Sequence, residues 1–235
     1  MKPGVCHPLI ARPSDAFYVL GPEQYPNITK YHNELSLIRE RLTILTRYME
    51  RLFQTVHPSP NNYDTYGNEI RNLLILACTE AEASWRGVLR ANGYQSDRYS
   101  TNDYVKLAKP MRLAEYAVSF PRYPWISPIK PFENWGKTGK PTQEIEWYDV
   151  YNAVKHDSIL NFSQAKLKYS MQAISALAIM LCAQFGRDGG FQSSPDLNHF
   201  FHFTDVPKWN EFECYRGTLS VSMAGSWIEE NYQFD

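Results

Sequence analysis

Between Tyr31 and Val56 the apolar residues Leu35, Ile38, Leu42, Leu45, Met49, Leu52 and Val56 recur at alternating spacings of three and four. Only an α-helix turns that spacing into one continuous stripe, so the region is predicted as a long helix that must lay the stripe on a partner. Arg39, Glu40, Arg41, Arg47, Glu50 and Arg51 fill its other faces with mixed charge and an arginine excess. Such a face is either solvated or turned toward RNA or a protein partner. Pro58 and Pro60 stop the helix, because neither can continue its hydrogen-bond ladder.

A partner follows at once. Ile70, Leu73, Leu74, Ala77, Ala81, Trp85, Val88 and Leu89 form a broad apolar face on a second helix, capped by Asp64 or Thr65 and stopped at Gly93. The two are predicted to pack as an antiparallel hairpin. Glu80 and Glu82 look like a carboxylate pair, but side chains two apart on a helix diverge by about 200°. They are read as surface charges, with Glu80 the alternative support for a histidine on a neighbouring helix.

Asn102 or Asp103 opens a short helical piece that Pro110 interrupts, and Tyr116 to Phe120 is read as extended. Pro121 to Pro141 carries five prolines with Trp125, Phe132 and Trp135 among them, which predicts an ordered aromatic loop that covers the core or roofs a pocket. Within it, Trp135-Gly-Lys-Thr-Gly-Lys140 resembles a phosphate loop in composition. It lacks that loop's full spacing and a preceding buried strand, so it is read as a surface turn. A helix then runs from Thr142 to about Asp157. A last one, from about Ser163 to Phe185, presents Leu167, Met171, Ile174, Leu177, Ala178 and Leu181 and stops at Gly186. Its nearly unbroken apolar stretch from Ala173 to Cys182 implies burial from several sides or a dimer seam.

The chain is therefore expected to be mainly α and a single domain, with a helical core over residues 30–186. Residues 1–29 are proline-rich and read as an extended surface arm anchored by Phe17, Tyr18, Val19 and Leu20. Residues 187–235 read as a short irregular or β-containing extension, with a strand at His199-Phe-Phe-His-Phe203. On that strand His199 and His202 face opposite sides, which argues against zinc. A 43% hydrophobic content supports a substantial core, and 24 basic against 25 acidic residues exclude a globally charged, duplex-wrapping surface. No apolar run is long enough to span a bilayer, so the expected location is cytoplasmic, with no membrane contact. Cys6, Cys78, Cys182 and Cys214 are too scattered for a zinc or redox motif and are read as free thiols.

One helical segment is too polar for ordinary core. In Glu146-Trp-Tyr-Asp-Val-Tyr-Asn-Ala-Val-Lys-His-Asp157, Asn152 and His156 stand four apart on one face, with Tyr148 a turn earlier and Lys155 bordering the stripe. A phenol, an amide, an amine and an imidazole are expected to converge there, flanked by Trp147 and Tyr151.

The segment Tyr151-Asn-Ala-Val-Lys-His156 resembles the signature of the HEPN superfamily: arginine, a polar residue that is often asparagine, three variable residues and histidine. The order of elements from Tyr31 to Gly186 is similar too, with a helical hairpin, a motif helix and an apolar final helix. The resemblance implies an antiparallel helical bundle that commonly forms a homodimer, setting two motifs across one cleft. In active members it implies a metal-independent endoribonuclease without a cofactor, in microbial stress or antiphage defence, where an antitoxin can be the protein partner. On this chain His156 and Asn152 would be catalytic, His156 exchanging protons during attack by the ribose 2′-hydroxyl. Lys155, Tyr151, Tyr148, Arg47 and Arg51 would bind substrate. Tyr151 stands where the family has arginine, and a phenol brings no charge to a phosphate at neutral pH. Lys155, Arg47 or Arg51 is expected to replace it, or else the protein is a non-catalytic scaffold or interaction module.

Overall fold

The stripe at Leu35 to Val56 becomes α1 (His32–Thr55), with Leu35, Leu42, Leu45, Met49 and Leu52 buried. In the computed structural model, which describes residues 5–12, 30–187, 190–191, 194–210 and 228–234, this helix lies against α2 (Asn68–Ala91) and α5 (Leu167–Phe185). The molecule is mainly helical. Between α2 and α5 the chain forms the short helix α3 (Thr101–Tyr104), the strand β2 (Ala117–Ser119) and the helix α4 (Glu146–His156). The helices α2 and α5 pack on each other along their length and form the centre of the bundle, with α1 and α4 both resting on that pair.

The two carboxylates two residues apart on α2 show where α1 and α4 lie. Glu80 accepts a 2.8 Å hydrogen bond from Arg41 of α1, whereas Glu82 accepts one of 2.9 Å from Tyr148 of α4. Their divergence around the helix is the divergence expected from the sequence, and it sets α1 and α4 on opposite flanks of α2. Glu80 therefore holds an arginine rather than a histidine.

Helix ends depart from the sequence reading where tertiary contacts compete for the caps. Asp64 and Thr65 do not cap α2, which starts after Gly67. Instead the Thr65 carbonyl accepts the Leu167 N–H at 2.9 Å, and Asp64 binds Lys166 and Lys168, each at 3.1 Å, so both residues fasten the start of α5. The stop at Gly93 is as expected: its φ of +79° suits glycine, and the Tyr94 N–H returns to the Leu89 carbonyl at 3.0 Å. In α5 every side chain from Ala173 to Phe185 is buried within the one chain. A dimer seam along Ala173 to Cys182 is thereby excluded, since no exposed apolar surface remains there.

Residues 5–12 enter the core instead of lying on it, while residues 228–234 stay exposed or half-buried against them. Ile10 and Arg12 are fully buried, and the Ala11 N–H donates to the Ala183 carbonyl at 2.8 Å. Strand β1 (Val5–Cys6) pairs in parallel with β4 (Ile228–Glu229), and the buried Asn92 amide ties them to α2 through the Pro8 carbonyl at 2.7 Å and the Tyr232 N–H at 2.9 Å. The expected anchors Phe17 to Leu20 lie outside the described residues, as does Cys214. Cys6 and Cys78 are buried free thiols, and Cys182 is buried as well.

The segment His199 to Phe203 is not one strand. His199 and Phe200 end the short helix α6 (Pro195–Phe200), and β3 (His202–Asp205) then pairs antiparallel with β2. Phe191, Leu197, Phe200, Phe201 and Phe203 are buried, so this extension completes the core. Among the described residues no cluster of three His, Cys, Asp or Glu could hold a metal, and no helix is long and apolar enough to cross a membrane.

The loop before α4 is built around Glu144. The helix starts at Glu146 rather than Thr142, because Glu144 turns back to accept the Gly136 N–H at 2.6 Å, the Thr138 hydroxyl at 2.8 Å and the Thr138 N–H. Partial burial opposes the Glu144 charge, but these donors outweigh it and bring the pKa to about 2. A depressed carboxyl pKa stabilises above the ordinary glutamate range, and the contribution is lost as pH falls toward the folded value. Amide protection at Gly136 and Thr138, read by hydrogen exchange, is expected to hold at pH 5 and collapse toward about pH 2. In Glu144→Ala it is expected to be weak at every pH.

Candidate functional site around the Glu146–His156 helix

The inward side of α4 is fixed by Trp85. This fully buried indole of α2 meets Tyr104, Phe132, Trp135, Trp147 and Tyr148, with ring centroids 5.0 to 6.3 Å away. Trp147 adds a 3.0 Å hydrogen bond from its indole N–H to the Pro131 carbonyl, which joins α4 to the proline-rich loop. The other end of that loop covers a different place, since Trp125 stacks on His57 at 5.0 Å.

A polar cluster lies beside this aromatic centre. The Tyr148 hydroxyl donates to Glu82, Lys155 Nζ donates to the Tyr151 hydroxyl at 2.9 Å, and Lys155 lies 3.7 Å from Glu82. Burial, followed by the Glu82 charge, holds the Tyr148 phenol protonated well above the ordinary tyrosine range. Burial also raises Tyr151, against the opposing pull of its Lys155 hydrogen bond. Lys155 itself is raised, chiefly by the Tyr151 hydroxyl, with Glu82 adding to it. At neutral pH both phenols are neutral and Lys155 is an ammonium, and the cluster ties α4 to α2.

This tie sets the rotation of α4, and so what faces outward. Asp149 and His156 are exposed, Asn152 and Ala153 are half-buried, and neither the Asn152 nor the His156 side chain has a hydrogen-bond partner among the described residues. After the helix, Asp157 Oδ1 accepts the N–H groups of Ile159 and Leu160 at 3.1 and 3.0 Å, and Asn161 Nδ2 donates to the Ala153 carbonyl at 3.1 Å. That turn holds Ile159 and Leu160 at the surface, 89% and 79% exposed.

The structure thus divides the residues expected to converge. Asn152 and His156 share the outer face, as their spacing requires. Tyr148 and Tyr151 are turned into the core, 4% and 1% exposed, so neither phenol can bind a substrate. The physical reason is their aromatic bulk: each ring stabilises more against Trp85 and its neighbours than it would in water. Lys155 is half-exposed but aimed back at Tyr151 and Glu82. Arg47 and Arg51 lie on α1, on the far flank of α2; Arg47 pairs with Asp196 at 2.7 Å and Arg51 covers the Tyr48 ring. Neither is brought to His156 within the chain.

Glu82 is the residue that sequence reasoning missed. Its signal was present, because positions 78, 82, 85 and 89 form one helical stripe and the other three, Cys78, Trp85 and Leu89, are apolar and fully buried. An acid inside such a stripe must meet a partner from another element. No family model, curated protein or solved structure matches the chain.

Proposed function

We propose that the chain is a HEPN-like helical protein that engages RNA at the outer face of α4, with His156 as the acid/base group and Asn152 as its polar neighbour. The observation that carries this reading is the open imidazole: His156 is exposed and unbonded among the described residues, whereas a histidine that merely ties helices together would be buried and satisfied. The succession of α1 and α2, then α4, then the apolar α5 supports the same family reading. In this reading two copies pair so that their α4 faces share one cleft. The phosphate-steadying charge comes from the other copy, since Tyr151 and Lys155 are committed inward. Microbial stress or antiphage defence is the setting that the family suggests.

A specific observation favours a second reading, a non-catalytic interaction module. The arginine position is filled by a buried tyrosine, and the apolar pair Ile159 and Leu160 sits exposed just beyond His156, as a contact for a protein partner would. Incubating the wild type and His156→Ala with a mixed RNA pool in chelator separates the two. The first reading expects metal-independent cleavage, reduced by roughly 10²- to 10⁴-fold in the variant. Since His156 is exposed, the variant should keep the wild-type circular dichroism. Absence of cleavage by the wild type from pH 5 to 9 would remove the enzymatic reading and leave the interaction module.

A further inference from the structure

The outer face of the α1–α2 hairpin lies on the flank of α2 away from α4 and carries apolar residues that the core does not use. Leu37 and Ile44 of α1 are 49% and 56% exposed, and Leu76 of α2 is 48% exposed. The pairings of Arg41 with Glu80 and of Tyr48 with Glu69 fix the antiparallel register of the two helices, which puts Leu76 abreast of Ile44. Branched aliphatic side chains grouped in this way on one surface mark an interaction face. We infer that it is a seam between two copies of the chain, related by a two-fold axis beside Glu40 and Arg41.

The charge order along α1 selects a second copy over any other partner. From residue 34 to residue 47 its exposed charged and apolar side chains run Glu34, Leu37, Glu40, Arg41, Ile44, Arg47. Read backwards, that order exchanges each acid for an arginine and each apolar residue for another. When two such helices meet antiparallel about the axis, Glu34 of one copy faces Arg47 of the other, Leu37 faces Ile44 and Glu40 faces Arg41. Every contact then occurs twice, as an isologous interface requires. Glu34 and Glu40 have no ion-pair partner among the described residues, so their charges are uncommitted within the chain. Arg41 and Arg47 each hold one carboxylate, Glu80 at 2.8 Å and Asp196 at 2.7 Å, and a guanidinium with its five N–H donors has room for a second.

The shape of the face is self-complementary as well. Beside Leu37 a pocket of about 170 Å³ opens between α1 and α2, walled by Ile38, Leu42, Ala83 and Gly87. The pairing brings Ile44 of the second copy to its mouth. Gly87 is a further sign of a close neighbour: it sits inside α2 without a positive φ, glycine weakens a helix, and a Cβ added to it would meet nothing within 4 Å. The packing of its own chain does not call for the missing side chain. This seam stands independently of the RNA reading and leaves the α4 face open.

The test is sedimentation velocity of the whole chain over a concentration series. The wild type is expected to self-associate. Ile44→Glu, which sets a carboxylate against Leu37 of the other copy, should halve the mass of the assembly, from dimer to monomer, or from tetramer to dimer if the α4 faces also pair. It should keep the wild-type circular dichroism, because Ile44 is exposed. Glu34→Arg puts two arginines together and should weaken association by about tenfold at low salt. Cysteines read the register. Leu37→Cys mixed with Ile44→Cys should form a disulfide-linked pair on mild oxidation, whereas neither variant alone should cross-link beyond the wild type. The two copies of residue 37 stand about 10 Å apart along the helices, too far for a disulfide. A wild type that stays monomeric throughout overturns the seam and gives the face to another occupant. Association that Ile44→Glu leaves unchanged, or cross-linking of Leu37→Cys to itself, overturns it too.

Discussion

Trp85→Ala is expected to lower the unfolding free energy by about 3–5 kcal/mol, the range for removing a large aromatic side chain from a packed core. Trp85 is fully buried and touches five other rings, four of them delivered by α4 or the proline-rich loop, so the cavity left behind has rigid walls and cannot collapse. Typical domains have only about 5–15 kcal/mol to lose, so the variant is expected to be partly unfolded at 37 °C. Trp85→Phe should cost much less. It keeps a ring in place and also removes the indole N–H, which has no hydrogen-bond partner among the described residues. Urea unfolding of the three proteins would measure this. A loss below about 1 kcal/mol in Trp85→Ala would mean that Trp85 is not the centre that orients α4. If it is, any RNA cleavage should fall in Trp85→Ala even at temperatures where the chain is folded, because the rotation of α4 controls where Asn152 and His156 point.

The elements that were legible in the sequence are those whose stability comes from their own periodicity. Leu35, Leu42, Leu45, Met49 and Leu52 form the buried line of α1 because a three-four repeat has one helical solution. Gly93 and Gly186 mark the ends of α2 and α5 because positive φ is cheap only for glycine. What depends on distant partners was not legible. Asp64 has the composition of a helix cap, yet it binds Lys166 and Lys168, more than a hundred residues on. Val5 pairs with Ile228, and no local pattern announces that register. For the site, the four-residue spacing of Asn152 and His156 was enough to give their shared face. The separation of Tyr148, Tyr151 and Lys155 from that face was not, since it depends on Glu82 and Trp85 of another helix.

That same inward packing makes the fold sensitive to alkali. Tyr104, Tyr116, Tyr148 and Tyr151 are each at most 4% exposed, and burial raises all four phenols, Tyr104 to about 12 and Tyr116 and Tyr148 further. An unfolded tyrosine ionises near pH 10. A group with a raised folded pKa contributes its full stability below the unfolded value, and the contribution is lost as pH rises through the folded one. Tyr104, Tyr116 and Tyr148 should therefore each remove about 1.4 kcal/mol per pH unit above pH 10, about 4 kcal/mol together by pH 11, with Tyr151 adding to the loss. Lys155 adds to the loss, because its ammonium is held by the Tyr151 hydroxyl and Glu82 and that hold is lost as the lysine deprotonates. Cooperative unfolding is thus expected between about pH 10 and 11.5, with tyrosinate absorbance and loss of helical ellipticity rising together. Tyr148→Phe removes one of the four titrations and should shift the midpoint upward, even though it also leaves Glu82 without its phenol donor and lowers stability at neutral pH. Tyrosinate absorbance that develops well before the helices melt would show that these phenols are open to water and that α4 is not held by the buried cluster.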